Sequence, residues 1–363
     1  MKIFILIKGL GLGGAERHVV DSAKAFVKRG HEVEVGFLLP YKQALVSELR
    51  EAGIACNNLG GEGLWPLAMW ANFRRAVAAF APDVVHAHLP VAGVLARSFK
   101  PLFGYRLVYT EHNLIWQYRW LSRLLHRLTW QLDDVAVSCS QPVADALSRA
   151  SVVVDNGLGL EPVVAVEGPS LRSRFNIASN ALLLLCVANL RPQKNHALLL
   201  RAFDALLHRQ PALDAHLVLV GQDATDRPAV EALRNTLAAA SRIHFYGSHP
   251  RAAALMPEAD LFCLSSDAEG LPISLLESMA AGIPALVTAV GGMPQVVVHG
   301  TTGLMVAAGD LPAYTIALQT LATDSELRLR MGKAAAERVA NHYSQEAMID
   351  HLLKLYARAE PRP

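Results

Sequence analysis

Cysteine is scarce and never paired in this sequence. The four, Cys56, Cys139, Cys186 and Cys263, stand far apart with no C-x-x-C spacing, so no disulfide framework is implied and they read as reduced core thiols of a cytosolic protein. No stretch approaches the run of about 18 apolar residues that a membrane span needs. The short apolar amino terminus passes into glycines without a small-residue cleavage site, so neither secretion nor membrane spanning is expected. Charge is also sparse and nearly balanced. With 18% charged residues and a formal net charge of +2, nucleic acid is not expected as the main partner. What is abundant is apolar: 52% of 363 residues, a globular composition too long for one ordinary core and suited to two domains.

A further absence concerns cofactor chemistry. The stretch GLGLGG places Gly9, Gly11 and Gly14 in G-x-G-x-x-G spacing between an apolar strand-like run, Ile3 to Ile7, and a helical stretch, 15 to 28. Such a turn exposes backbone N–H groups at a positive helix end, where phosphate can sit. A dinucleotide site also needs an acid at the carboxyl end of the second strand. That strand, near 31 to 38, ends in Phe37, Leu38 and Leu39, and Glu34 alternates with valines in mid-strand. The turn therefore admits an anionic ligand, and a nicotinamide cofactor is not expected.

Strand-like and helical stretches alternate throughout. The first half predicts strands near 2–8, 31–38, 83–87, 106–110, 134–138 and 151–154. The second predicts strands near 181–188, 215–220, 242–246, 260–264 and 284–288. Alternation of this kind predicts an α/β fold: two Rossmann-like, doubly wound parallel-sheet domains facing a cleft. Residues 156–177, rich in Gly, Pro and charge, read as a linker. The expected organisation is 1–165, acceptor-binding; 166–345, donor-binding; and 346–363, a C-terminal helix able to pack back on the first domain, with Met348, Leu352 and Leu355 at helical spacing and a frayed PRP tail.

The segment SSDAEGLPISLLESMAAGIPALVTAVGGMPQVVVHGTTGLMV, 265–306, carries the chemistry. Glu269 closes a strand, Gly270 gives the backbone room, Pro272 stands like a first helical residue, and Glu277 falls within the helix that follows. The segment Gly270, Leu271, Pro272 and Ile273, with a backbone N–H on every residue but the proline, marks an anion-receptive helix start. This order of residues resembles the nucleotide-sugar site of GT-B retaining glycosyltransferases of family four. The resemblance extends to GGAERHVV near the start, DVVHAH at 83–88, TEHN at 110–113, ANLRPQKNHALLLRAF at 188–203 and VLVG at 218–221.

By that resemblance Glu269 bonds hydroxyls of the donor sugar, Glu277 bonds the ribose hydroxyls, and Lys194 bonds the diphosphate. Lys194 is expected to open the helix after its strand; Asn189 stands where the family usually has Arg, which leaves open whether Arg191, three residues before Lys194, supplies the second cation. Gly13 and Gly14 would let backbone approach the diphosphate, and His112 would contact the donor sugar. Gln295, where the family commonly has Glu, reads as a capping detail. The mechanism implied is a front-face displacement in which a phosphate oxygen takes the acceptor proton, so neither an enzyme nucleophile nor a metal is required.

His86 and His88 share one strand face, but no Cys, Asp or third His is placed by the sequence to complete a metal site. In 113–130, Trp116, Trp120, Leu124 and Leu128 form an i, i+4 stripe beside Arg119, Arg123 and Arg127. The stripe suits either an anionic membrane surface or internal packing with snorkelling arginines. All five tryptophans, including Trp65, Trp70 and Trp130, lie in the first half.

The function expected is transfer of a hexosyl or N-acetylhexosaminyl group from a UDP-sugar to a glycan or lipid-linked acceptor in polysaccharide, lipopolysaccharide or exopolysaccharide synthesis, in the cytoplasm or at the inner face of its membrane. A nucleotide-sugar epimerase of similar fold and a non-catalytic nucleotide-sugar-binding protein are the alternatives.

Overall fold

A computed structural model of the chain describes residues 1–60, 66–159 and 168–357. Trp65, the PRP tail and the middle of the linker segment lie outside the described residues. Two compact units result: Met1–Gly159 with Gln345–Pro363, and Leu160–Ser344.

The first unit holds strands β1 (Lys2–Ile7), β2 (Glu32–Phe37), β3 (Ala55–Asn58), β4 (Val84–His88), β5 (Arg106–Glu111), β6 (Val135–Ser138) and β7 (Val152–Val153), in the order β3-β2-β1-β4-β5-β6-β7. All of the pairings are parallel. The central strand KIFILI is apolar on both faces because both are covered. Ile3, Ile5 and Ile7 enter one core with Val19, Val20 and Phe26 of the helix Gly14–Lys28, while Phe4 and Leu6 enter the other with Phe73, Leu95 and Tyr109.

The chain returns to this unit at its end. The helix Gln345–Tyr356 buries Met348, Ile349, Leu352 and Tyr356 in the first of those cores, and Asp350 pairs with Arg29. Leu355 is only half-buried and packs at the margin of that core.

The second unit holds β8 (Leu182–Val187), β9 (Ala215–Val220), β10 (Ile243–Gly247), β11 (Leu261–Leu264), β12 (Ala285–Thr288) and β13 (Gly303–Val306), in the order β10-β9-β8-β11-β12-β13, again all parallel. Two strands, β3 and β13, are absent from the sequence expectations. Both are four residues long, and β3 (ACNN) has no fully buried residue while β13 has one. Such strands carry little of the apolar pattern by which a central strand is recognised.

The returning helix makes a prediction. Leu352→Ala leaves a cavity in the first unit's core, so the opening free energy of β1 and β4 amides should fall by about 2–5 kcal/mol, with β8 and β9 unchanged. Amide hydrogen exchange measures both sheets at once, and an equal loss in the two would refute the assignment of this helix to the first unit.

Candidate active site

In the second sheet β8 and β11 are neighbours, yet the chain leaves β8 toward β9 and leaves β11 toward β12. Where the winding reverses, the two outgoing loops part and open a crevice at the carboxyl edge. After β8, the Asn189 Oδ1 accepts the Gln222 backbone N–H at 2.9 Å, which ties this loop to the one leaving β9. Arg191 is exposed at the start of a short 3-10 turn, Pro192–Lys194. The helix begins only at His196, with Asn195 as its N-cap in the left-handed region (φ 44°) and its side chain accepting the Leu198 N–H. Lys194 therefore does not open the helix as expected from the sequence. It precedes the helix, because Asn195 takes the capping position.

That displacement aims Lys194 across the crevice. Its Nζ donates to Glu269 Oε1 at 2.6 Å and to Oε2 at 2.7 Å, and the Ser266 hydroxyl donates to Oε1 at 2.6 Å. The two loops are laced together around this pair. Ser265 Oγ donates to the Asn195 carbonyl at 2.8 Å, Asn195 Nδ2 to Asp267 Oδ1 at 2.9 Å, and the Asp267 N–H to the Gln193 carbonyl at 2.8 Å.

Beyond Glu269 the chain passes through Gly270 and the buried Leu271 to Pro272, which caps the helix Ile273–Ala280 from outside rather than standing as its first residue. Ile273 is buried at the helix start, and Glu277 lies half-buried one turn on. The Gly291-Gly292 pair packs on the same loop: Gly292 N–H donates to the Gly270 carbonyl at 2.6 Å. Gly291 has φ +54°, and a Cβ there would lie 2.1 Å from the Glu269 carbonyl oxygen, so a side chain would push the acid out of place. Gln295 is not a cap. Its backbone carbonyl accepts from Arg338 at 2.7 Å and Tyr343 at 2.9 Å, while its Oε1 is buried with no partner among the described residues.

In the first unit, Gly13 is the N-cap of the helix that Gly14 begins, and the Glu16 carboxylate folds over it: a Cβ on Gly13 would meet Glu16 Oε2 at 2.3 Å. Glu34 is engaged inside the sheet, accepting from Asn57 Nδ2 at 2.7 Å, which removes it from any ribose-binding part.

Four histidines gather at the carboxyl end of β4 and β5. His86 and His88 do share a face, with rings 4.1 Å apart. His86 is fully engaged, Nδ1 with the Tyr356 hydroxyl at 2.5 Å and Nε2 with Thr110 Oγ1 at 2.7 Å. His88 Nδ1 and His112 Nε2 share a hydrogen bond of 2.8 Å, and His18, from the first helix, lies with its ring 5.2 Å from that of His112. The sequence offered no third ligand to the His86–His88 pair; the fold supplies His18 and His112 to His88, while His86 is drawn away by its partners.

Glu111, which sequence reasoning passed over within TEHN, anchors this corner. Its carboxylate accepts from Tyr109 at 2.7 Å, from Tyr118, and from the N–H of His112 at 3.0 Å. Burial raises its pKa, and the tyrosine hydroxyls oppose that rise.

Known proteins agree with this architecture. The pattern described as Glycosyltransferase Family 4 matches residues 12–160, and that described as Glycosyl transferases group 1 matches 169–338. The chain belongs to the GT-B glycosyltransferases of family four. Among its relatives, the lipopolysaccharide core biosynthesis glycosyltransferase LpsE of Rhizobium meliloti is 26% identical over 95% of this chain and 96% of its own. The D-inositol 3-phosphate glycosyltransferase of Corynebacterium glutamicum is 26% identical over 95% and 91%. Anabaena HepE, solved in complex with UDP-glucose, shares the fold with a TM-score of 0.85 and 20% identity, covering 98% of this chain and 99% of its own.

The glycosyltransferase also presents an unburied apolar stripe. The helix Trp120–Thr129 has His126 as its one buried residue, whose Nδ1 accepts from Arg97 at 3.1 Å; Arg97 is itself buried in an ion pair with Asp133 at 2.7 Å. The residues read as the stripe point outward: Trp116 is 58% exposed, Trp120 68%, Leu124 45% and Leu128 70%. Arg119 and Arg127 are exposed beside them and Arg123 half-exposed, none in an ion pair among the described residues. The stripe does not pack inward. Among the described residues no helix is long and apolar enough to cross a membrane.

Burial makes a pH prediction. His18, His86, His88 and His112 are all held below the ordinary 6.5, His18 at about 4 and His86 at about 3, because burial disfavours the imidazolium. Between those values the unfolded chain binds protons that the folded one refuses. Stability is therefore full above pH 6.5 and declines as pH falls toward 4, with a limiting slope of about 1.4 kcal/mol per pH unit per histidine. Urea unfolding across that range should show the decline; a flat profile would mean that the rings are charged in the folded protein.

Proposed function

We propose that this glycosyltransferase is a retaining enzyme that moves a hexosyl or N-acetylhexosaminyl group from a UDP-sugar to a glycan or lipid-linked acceptor in the synthesis of a surface polysaccharide, lipopolysaccharide or exopolysaccharide. The observation that carries this reading is the contact of Lys194 with both oxygens of Glu269 at the sheet reversal of the second unit. The UDP-glucose complex of HepE and the lipopolysaccharide role named for LpsE support the donor and pathway class.

A departing nucleoside diphosphate gains negative charge in the transition state, and a cation placed there stabilises that state above the ground state. In this proposal the arriving donor exchanges partners with the pair. The Lys194 ammonium passes from carboxylate to diphosphate, and the Glu269 oxygens it leaves accept from sugar hydroxyls. Arg191, exposed and without an ion-pair partner among the described residues, supplies the second positive charge that Asn189 lacks. Asn189 shapes the turn through Gln222. Glu277 takes the ribose hydroxyls, and Gly270 to Ile273 face the phosphates from the helix start.

In the first unit His112 takes the sugar, and Gly13 and Gly14 allow backbone close to the diphosphate. The displacement is front-face: the departing phosphate oxygen removes the acceptor proton, so no nucleophilic side chain and no metal enters the step.

A panel of UDP-, GDP- and ADP-sugars, scored for nucleotide release and product anomer, tests this. UDP-sugar should be turned over with retention, and Lys194→Ala and Glu269→Ala should each lose about 10²–10³-fold in kcat. Wild-type rates in both variants, or an inverted product, would overturn the mechanism.

The stripe of 113–130 has its place in the same reading, as a peripheral contact with an anionic bilayer at the cytoplasmic face. Exposed tryptophans and leucines beside unpaired arginines suit the headgroup region. Each arginine near such a surface contributes about 1 kcal/mol, so replacing Arg119, Arg123 and Arg127 with Gln should weaken flotation with anionic liposomes about a hundredfold in partition. Unchanged flotation rules the contact out.

A further inference from the structure

We propose that His18, His88 and His112 form a binding site for one divalent transition-metal ion of the zinc or cobalt type. Each contributes one ring nitrogen, and the three atoms lie within 4.8 Å of one another. They come from separate elements: His18 from the helix Gly14–Lys28, His88 from the end of β4, and His112 from the loop after β5. All three are buried, so the ligands are held by the fold rather than recruited from mobile surface chains.

The donor set names the ion. Three imidazoles and no carboxylate suit zinc, cobalt or copper, whereas magnesium and calcium want oxygen. Imidazole binds a metal through an unprotonated ring nitrogen, and the trio brings no charged ligand that would have to be neutralised. His18 Nδ1 is buried without a hydrogen-bond partner among the described residues, an unfavourable arrangement in a protein interior that a bound ion or its water would relieve.

The geometry also says what must move. His88 Nδ1 and His112 Nε2 are 2.8 Å apart and share a proton. Two nitrogens on a tetrahedral ion with bonds of about 2.0–2.1 Å stand about 3.3 Å apart, so the rings must part by about half an ångström. The shared proton shifts to the other nitrogen of the ring that carries it, and nothing is released. His86 is excluded, since both of its nitrogens are held by Tyr356 and Thr110. Three protein ligands leave a fourth position open, the arrangement that accepts water or an exogenous oxygen.

The ion is not a participant in the transfer reaction proposed above. Because that reading gives His112 to the donor sugar, a bound ion would occupy His112 and inhibit.

The test uses the full chain, freed of metal and titrated with cobalt chloride alone. One equivalent should generate visible ligand-field absorption, and zinc should displace it. His18→Gln, His88→Gln and His112→Gln should each weaken cobalt binding at least a hundredfold, with near-UV circular dichroism reporting the fold of each. His216→Gln, at the second unit's own histidine pair with His244, should leave the absorption unchanged. Should one of the three variants not fold, histidine Cε1 proton resonances of the wild type give an independent reading, since His18, His88 and His112 must shift together on adding zinc. Absence of binding in the wild type, or absorption that survives His88→Gln and disappears in His216→Gln, overturns the site. Cobalt binding at the trio without inhibition of transfer leaves the site standing and overturns instead the assignment of His112 to the sugar.

Discussion

Because every strand in both sheets runs parallel to its neighbours, no strand can be joined to the next by a tight turn, and each connection must cross a sheet face through a helix. All carboxyl ends then lie along one edge of each sheet, and the residues that follow them are collected there whatever their separation in sequence. Lys194 and Glu269 are 75 positions apart and meet because β8 and β11 are adjacent. His88 and His112 meet for the same reason at β4 and β5. The apolar character of the central strands is the other face of this constraint, since a sheet covered on both sides leaves no exposed row on which polar residues could alternate.

The two units use their carboxyl edges in opposite electrical ways. The second holds charge: a buried carboxylate is held by a partly exposed ammonium that touches it and by Ser266, which occupies a further lone pair of the acid. In the proposed reaction such a pair exchanges partners, either member leaving for a ligand of the right sign while the other takes new partners. The first unit holds no net charge in its cluster. Burial keeps four imidazoles neutral, and a neutral imidazole has one donor and one acceptor nitrogen, which suits hydroxyl groups and metal ions better than phosphates.

This contrast also explains what was legible in the sequence. The long central strands were, because β1, β8 and β9 are almost wholly buried and read as unbroken apolar runs. The edge strands β3 and β13 were not, since half-exposed residues carry no run and no clean alternation. Lys194 and Glu269 stood out through the order of their motifs, but their direct contact did not, because the chain gives no sign that Asn195 rather than Lys194 would cap the helix. The Gly-Gly pair at 291–292 belongs to the same motif, but its packing on the acid loop shows only in the fold. His18 carried no signal: one histidine in an amphipathic helix is indistinguishable from any other buried position until the fold shows which strand end it faces.

The C-terminal helix shows how far the histidine cluster depends on distant sequence. Tyr356 lies 270 positions from His86, yet its hydroxyl holds His86 Nδ1, and its ring packs 5.5 Å from the same imidazole and 5.4 Å from Phe26. With Thr110 on Nε2, both sides of His86 are fixed, so the ring tilted against that of His88 cannot turn to offer a nitrogen elsewhere. Without the tyrosine hydroxyl, His86 would have a buried nitrogen in search of a partner, and the nearest imidazole is that of His88. The returning helix therefore does more than fill the first unit's core: by satisfying His86 Nδ1 it leaves His88 Nδ1 to share its hydrogen bond with His112 Nε2.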